Sequence, residues 1–488
     1  MITRRSLIVG TGAVASATIL DARFGRGEIT RGGGHLPIPQ LIDAANHHNA
    51  IRLTVSAGHH EFYKGKPART YGYSGPILGP VLRFRRGDHV EMSVRNELGV
   101  ATTVHWHGLL VPGDADGGPQ RKIAPGATWR PTLSIDQPAA TLWYHPHPHH
   151  DTGRQVYLGL AGLIIVEDGI DLGLPDRFGV DDLPLIIQDR VIDETDGSIG
   201  YDLGQLDVVY GVRGDTVIVN GAITPTANVP AGWVRLRLLN GSNARNFELR
   251  FQDGRTFHVI ASDGGFLSRP VPMSVLRISP AERFEILVDF ADGQPVVLQT
   301  GPDRAMGLFG AISDAGTDEY APVMRFEVDP APAAARQLPF QLVEPEAVDP
   351  SAAVQRRQFV LNNGLCGQRT RMSNHGNLPA IIGINGQVHD PRRIDVETRL
   401  GTSEVWEIVS VGMPHPFHVH GAMFRVLTLD GKPPPEHLTG WKDVVLVEDK
   451  AELLVKFTKR ATREYPFMYH CHILEHEDAG MMGQYACT

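Results

Sequence analysis

The chain is sparing with cysteine. Among 488 residues it has three, Cys366, Cys471 and Cys487, too few for a disulfide framework. Cys366 and Cys487 either pair or remain free thiols, and sequence leaves this open because the approach of their backbones decides it. There is no lysine- or arginine-rich run, and the formal charge of −9 argues against a general nucleic-acid partner. Beyond the amino-terminal segment no apolar run is long enough to cross a membrane. No long amphipathic helix stands out either. In their place are 53 glycines and 35 prolines, a composition suited to many strands and turns.

The amino terminus has the form of an address. Thr3-Arg4-Arg5-Ser6 is a twin-arginine pattern, followed by an apolar run from Leu7 to Leu20 and a small-residue cleavage site at Ala15-Ser16-Ala17. The run is too short for a comfortable membrane span. Residues 1–26 are therefore expected to be an export signal, and the mature protein periplasmic.

Three stretches then share a strand-rich texture. In the first, 45–168, Ile51 to Val55 and His89 to Arg95 alternate apolar and polar, and Gly159 to Val166 has the character of a strand buried on both faces. The second, 175–328, opens with Leu183 to Ile187 and contains Trp233 to Asn240, which echoes the first unit. A Pro/Ala spacer from Asp329 to Ala335 leads to the third, 340–488, where Val405 to Val409 alternates again. Three all-β units in series predict consecutive β-sandwiches.

Ten of the 22 histidines fall in four clusters: His105-Trp106-His107, His145-Pro146-His147, His415-Pro416-Phe417-His418-Val419-His420, and His470-Cys471-His472 with His476 shortly after. In extended chain, alternate residues share a face. Each His-x-His pair therefore aims two imidazoles at one point, and four pairs give eight imidazoles around a small metal cluster between the first and third units. Parity sorts the remainder. Cys471 faces away from His470 and His472, and His415, three residues before His418, faces away from His418 and His420. A thiolate with imidazoles from His415 and His476 and a distant thioether from Met481 is the donor set of a blue-copper electron-transfer site. The second unit carries Asn243-Ala244-Arg245-Asn246-Phe247 where a histidine pair would fall, so it is expected to be a spacer without ligands. His149 and His150 extend the second cluster as solvent-facing or outlying donors, and His47-His48 and His59-His60 are expected at the surface.

These motifs resemble those of the multicopper oxidases, in particular the three-domain bacterial laccases and periplasmic copper-efflux oxidases. Asp116-Gly117-Gly118-Pro119 and Thr152-Gly153-Arg154-Gln155 strengthen the likeness. The resemblance implies three consecutive cupredoxin-like Greek-key β-sandwich domains and four copper ions. It places His105 and His418 on a type 2 copper, and His107, His145, His147, His420, His470 and His472 on a type 3 pair. His415, Cys471 and His476 fall on a type 1 copper with Met481 axial. It makes Asp116 and Glu477 proton-handling carboxylates, although each could be a loop carboxylate bonded to backbone. The implied activity is laccase-like: a small phenol or aromatic amine is oxidised at the type 1 site, through an exposed edge of His476 or His415, while dioxygen is reduced to two waters. Oxidation of Cu(I) or another metal ion is the second expectation. It is weakened because Cys366 to His389 holds only Met372, where the efflux enzymes carry a methionine-rich insert. Met413, Met423, Met468 and Met482 are either core or soft-metal ligands. A copper-free structural cupredoxin is a more distant expectation, since such proteins lose ligands and none is lost here. The protein is expected to be a monomer.

Overall fold

A computed structural model describes residues 34–303, 320–332, 337–344, 346–363 and 382–488. The export pattern, Cys366 and Met372 lie outside them. Among the described residues six sheets form three consecutive two-sheet units. In the first, a sheet containing Val81–Arg85, Ala140–Tyr144 and Gly162–Glu167 faces one containing Ala50–Tyr63, Lys66–Tyr73 and His89–Asn96. Between the two lies a core including Val55, Phe84, Met92, Trp106, Leu142 and Ile164. The second unit packs a seven-stranded sheet on a five-stranded one, and the third packs two five-stranded sheets around Trp406, Phe417, Leu453 and Tyr469.

The alternating stretches are strands. Ile51, Leu53 and Val55 are buried along Ala50–Tyr63 while Arg52 is exposed. Trp233–Asn240 pairs with Asp182–Arg190 on one side and Arg283–Asp289 on the other, which buries nearly all of it, the arginines of its alternation included. The Pro/Ala run begins inside a strand rather than as a spacer. Ala321–Pro332 runs parallel to Thr226–Ala231 as far as Pro332, and its pairing with Val296–Thr300 stops at Phe326, so a missing N–H beyond that point is tolerated.

The units are tied together through buried charge. Arg237 holds Asp182 at 2.7 and 2.9 Å and Glu285 at 3.0 Å, and Glu285 also accepts from Thr141 of the first unit at 2.6 Å. Burial alone would raise the Glu285 carboxyl, but Arg235 and Arg237 hold it below its ordinary range. His60, part-buried rather than at the surface, donates from the first unit to the Gly221 carbonyl at 2.7 Å.

Candidate metal centres

The strand Phe467–Cys471 ends one residue before His472, so His472 lies in a bend rather than in a strand. The alternation survives that bend because the His472 amide still donates to the Pro416 carbonyl at 2.7 Å. His470 and His472 face one side, their ring centroids 5.5 Å apart. The Cys471 sulfur lies on the other side, 3.6 Å from His476 Nδ1. The first two histidine pairs are not in regular strands. His105 and His145 pair with each other as an isolated bridge past the end of Ala140–Tyr144, where curving backbone lets imidazoles converge from several directions.

Eight imidazoles do converge. His105 stacks on His420 and His107 on His418, each pair with centroids 3.7 Å apart. His147 Nε2 and His420 Nε2 both lie 3.2 Å from His470 Nε2. His107 Nδ1 lies 3.3 Å from His145 Nε2. All eight side chains are buried, and donor sets such as His105, His107 and His145, or His147, His420 and His470, are close enough to share an ion.

The outward nitrogens are fixed by the protein. His418 Nδ1 donates to the Asp443 carbonyl at 2.8 Å, His145 Nδ1 to that of Pro146 at 2.8 Å, and His470 Nδ1 to that of Cys471 at 2.9 Å. His420 Nδ1 meets Asp116 Oδ2 at 2.8 Å, and His105 Nδ1 meets the Asp116 carbonyl at 3.1 Å. Glu477 lies against two rings at once, Oε1 3.2 Å from His147 Nδ1 and Oε2 3.4 Å from His470 Nδ1. The hydrogen bonds of His418, His145, His470, His420 and His105 set the tautomer and aim the other nitrogen inward, whereas the Glu477 oxygens approach the two rings without a hydrogen bond. Gly117, in the Gly-Gly pair, must be glycine: at φ 83° an added Cβ would lie 1.8 Å from the Val104 carbonyl oxygen.

The inward atoms test whether metal fits. His105 Nε2, His418 Nε2 and both ring nitrogens of His472 are buried with no hydrogen-bond partner. Unpaired buried nitrogens cost about 1–3 kcal/mol each, and eight mutually facing imidazoles cannot all be protonated. Burial holds His107, His145, His147, His418, His420 and His472 far below the ordinary imidazole range, and His470 at about 3. Neutral rings with free lone pairs are what a transition-metal ion requires.

The second site lies across the strand. His415 and His476 rings are 5.2 Å apart, and His415 has both nitrogens unpaired. Met481 is fully buried, and its amide donates to the His476 carbonyl at 2.8 Å. Burial pushes the Cys471 thiol up, partly offset by the Ile473 amide 3.3 Å from the sulfur; a thiolate there needs a cation beside it. His476 and His415 are both fully buried, contrary to the expected exposed edge. His476 Nε2 donates to the Val209 carbonyl at 2.9 Å, from the helix Gln205–Tyr210 of the second unit.

Three family models described as multicopper oxidase match residues 54–170, 197–297 and 361–488. A multicopper oxidase mco from Staphylococcus aureus is 36% identical over 96% of this chain and 94% of its own. A solved laccase-like multicopper oxidase CueO from Ochrobactrum sp., with oxidase activity towards lignin model compounds and lignosulfonate, is 43% identical at a TM-score of 0.84, covering 93% of this chain and all of that one. The chain belongs to the multicopper oxidases. A cell division protein FtsP from Dickeya dadantii is 37% identical over 99% of this chain and 98% of its own, so the fold also serves a protein named for another role.

The oxidase contains two residues that motif spacing does not reveal. Asp443, fully buried, receives His107 Nε2 at 3.1 Å and Arg283 of the second unit at 2.6 and 2.7 Å. The trace of Asp443 in sequence is Lys442-Asp443, a charged pair just ahead of the apolar run Val444 to Val447. The second unit adds no imidazole to the cage, but it contributes Arg283 beneath it, the Val209 carbonyl, and Tyr201 and Asn243, which bind Glu475 at 2.6 and 2.7 Å. His149 and His150 stay outside the cage. Burial takes His149 and His389 down to about 4. Met413, Met423, Met468 and Met482 are all buried. Cys487 is a buried free thiol.

Proposed function

We propose that this multicopper oxidase is laccase-like, coupling four one-electron oxidations of a phenol or aromatic amine to reduction of one dioxygen to two waters. The observation that carries this is Cys471 between His470 and His472, with the sulfur on one site and both neighbouring imidazoles in the other. On this proposal His415, Cys471, His476 and Met481 hold a type 1 copper. His105 and His418 hold a type 2 copper, and His107, His145, His147, His420, His470 and His472 hold a type 3 pair. Copper supplies the one-electron redox chemistry at both places. The peptide between Cys471 and its neighbours supplies the covalent link. The His476 Nε2–H···O=C contact to Val209 supplies the route from the surface, since neither imidazole of the thiolate site is exposed.

Protons come from carboxyls inside the barrier to water. Burial keeps the Glu477 carboxyl protonated well above the ordinary range, next to His147 and His470. Asp116 bridges His420 and His105 with its Oδ1 unpaired. Export to the periplasm by the twin-arginine signal is part of the same proposal. A metal-ion oxidase is the second reading, and the Cu(I) arm of the test below addresses it. A copper-free structural role is the more distant reading, and a complete donor set weighs against it.

Metal analysis with oxygen uptake tests this. Copper near four per chain, a blue protein, and faster oxygen consumption with a phenol than with Cu(I) are expected. Zinc, no metal, or no oxygen uptake with either donor would overturn it.

A further inference from the structure

The cover over His476 is a fixed piece of the second unit. Glu475 clamps it at both ends, accepting from the Tyr201 hydroxyl through Oε1 at 2.6 Å and from the Val212 amide through Oε2 at 3.1 Å. Between the clamps lies the helix Gln205–Tyr210, with the Val209 carbonyl on His476 Nε2. Gly211 follows at a φ of 79°, where an added Cβ would lie 2.3 Å from the Ala244 Cβ and 2.7 Å from the Ile473 Cγ2. A donor therefore meets this helix rather than either ring, since His415 and His476 are both fully buried. The outward side of the cover is apolar, with Leu206 69% and Leu203 43% exposed. A lone exposed leucine is ordinary, but Leu206 shares a helix face with Val209, one turn on and about 5 Å along the axis. The rim is acidic. Residues 201–212 include Asp202 and Asp207 and no lysine or arginine, Asp202 is exposed, and the next residue, Arg213, is paired with Asp303 at 2.9 Å.

We infer that the outer face of this helix, centred on Leu206, is where the reducing substrate docks, and that its acidic rim selects uncharged or cationic aromatic donors over anionic ones. The inference rests on the laccase-like reading and narrows its substrate class. The leucines give an aromatic ring apolar surface to lie on, and the carboxylates repel an approaching anion. Each phenol gives up one electron and one proton. The electron crosses the helix backbone and the Val209–His476 hydrogen bond to the thiolate site, the proton goes to water at the exposed face, and a phenoxyl radical departs. Four such events supply the four electrons, and one dioxygen with four protons leaves as two waters.

The test uses copper-loaded protein and places charge on this face. Leu206→Lys keeps a good helix former at an exposed position, and Asp202→Lys is a second variant on the rim. Anaerobic bleaching of the blue band by hexacyanoferrate(II), a tetra-anion, is expected to be about tenfold faster in either variant than in wild type at low salt, and the gain is expected to vanish at high salt. Val354→Lys adds the same charge elsewhere, at a valine 60% exposed, and is expected to leave the rate unchanged. Val354 donates to the Ser403 carbonyl, and the other end of Ser403–Val411, the end leading to His415, is roughly 25 Å away. Binding is read separately from turnover: photolysis of an uncharged methoxyphenyl azide with wild type, then peptide mass mapping, is expected to label residues 201–213, and to label them less in Leu206→Lys. Equal bleaching rates in all four proteins, or a gain in Val354→Lys matching that in Leu206→Lys, overturns electron entry at the helix. Absence of label from 201–213 overturns docking there. Should Leu206→Lys accelerate hexacyanoferrate(II) while no phenol drives oxygen uptake, the laccase-like reading falls and the entry face stands.

Discussion

Asp443 lies at the end of a buried chain of charges whose arithmetic can be tested. Lys442 Nζ meets Asp263 at 2.9 Å and Glu282 at 3.1 Å. Arg283 meets Asp263 at 3.6 Å and Asp443 at 2.6 Å. With all five ionised, three carboxylates face two cations, and the uncompensated negative charge falls at Asp443, beside His107. In the apoprotein this is a liability. Once a cation occupies the cage, it becomes an asset.

Two substitutions separate these effects. Asp443→Asn balances the network at two charges of each sign, so the apoprotein loses only the difference between charged and neutral hydrogen bonds, about 1–2 kcal/mol. It also weakens the acceptor that orients His107, and loss of such a contact typically costs 10–100-fold in metal affinity. Arg283→Gln leaves three carboxylates around one lysine and should cost the apoprotein about 3–5 kcal/mol. Urea unfolding of both apoproteins and chelator competition for copper make the comparison. If Asp443→Asn holds copper within twofold of wild type, or if Arg283→Gln unfolds no more easily than Asp443→Asn, the charge count is wrong.

Other outcomes follow from the same contacts. Glu477→Gln keeps the shape against His147 and His470 but removes a proton held there, so oxygen consumption should fall by about 10²–10⁴ while the blue band remains; unchanged turnover would remove Glu477 from proton delivery. Glu285→Gln leaves Arg235 and Arg237 with only Asp182 and should destabilise by about 3–5 kcal/mol at neutral pH, read by calorimetry. Because the Glu285 carboxyl is held below its unfolded value, its contribution is present above that value and lost as pH falls through the folded one. The gap between variant and wild type should therefore narrow on acidification; a gap constant with pH would refute the assignment.

Much of the site was legible because metal ligands are specified by side-chain type and parity together. His-x-His spacing, the odd offset from His415 to His418, and Cys471 between two histidines each encode a direction, and the fold preserves those directions even where His472 lies past its strand. Alternation likewise marked Trp233–Asn240 and Ala50–Tyr63 as strands. Asp443 and Arg283 were not legible, since a lone charge carries no period and its partner lies 160 residues away. The burial of His476 beneath Val209 was hidden for the same reason: the carbonyl that covers it could belong to any residue. Sequence by itself determined which atoms can bind metal and which way neighbours face, because both are local properties of an extended chain. Only the tertiary structure decided which carboxylates orient those imidazoles and what lies between the thiolate site and solvent, because each depends on chains of distant units packing into one buried volume.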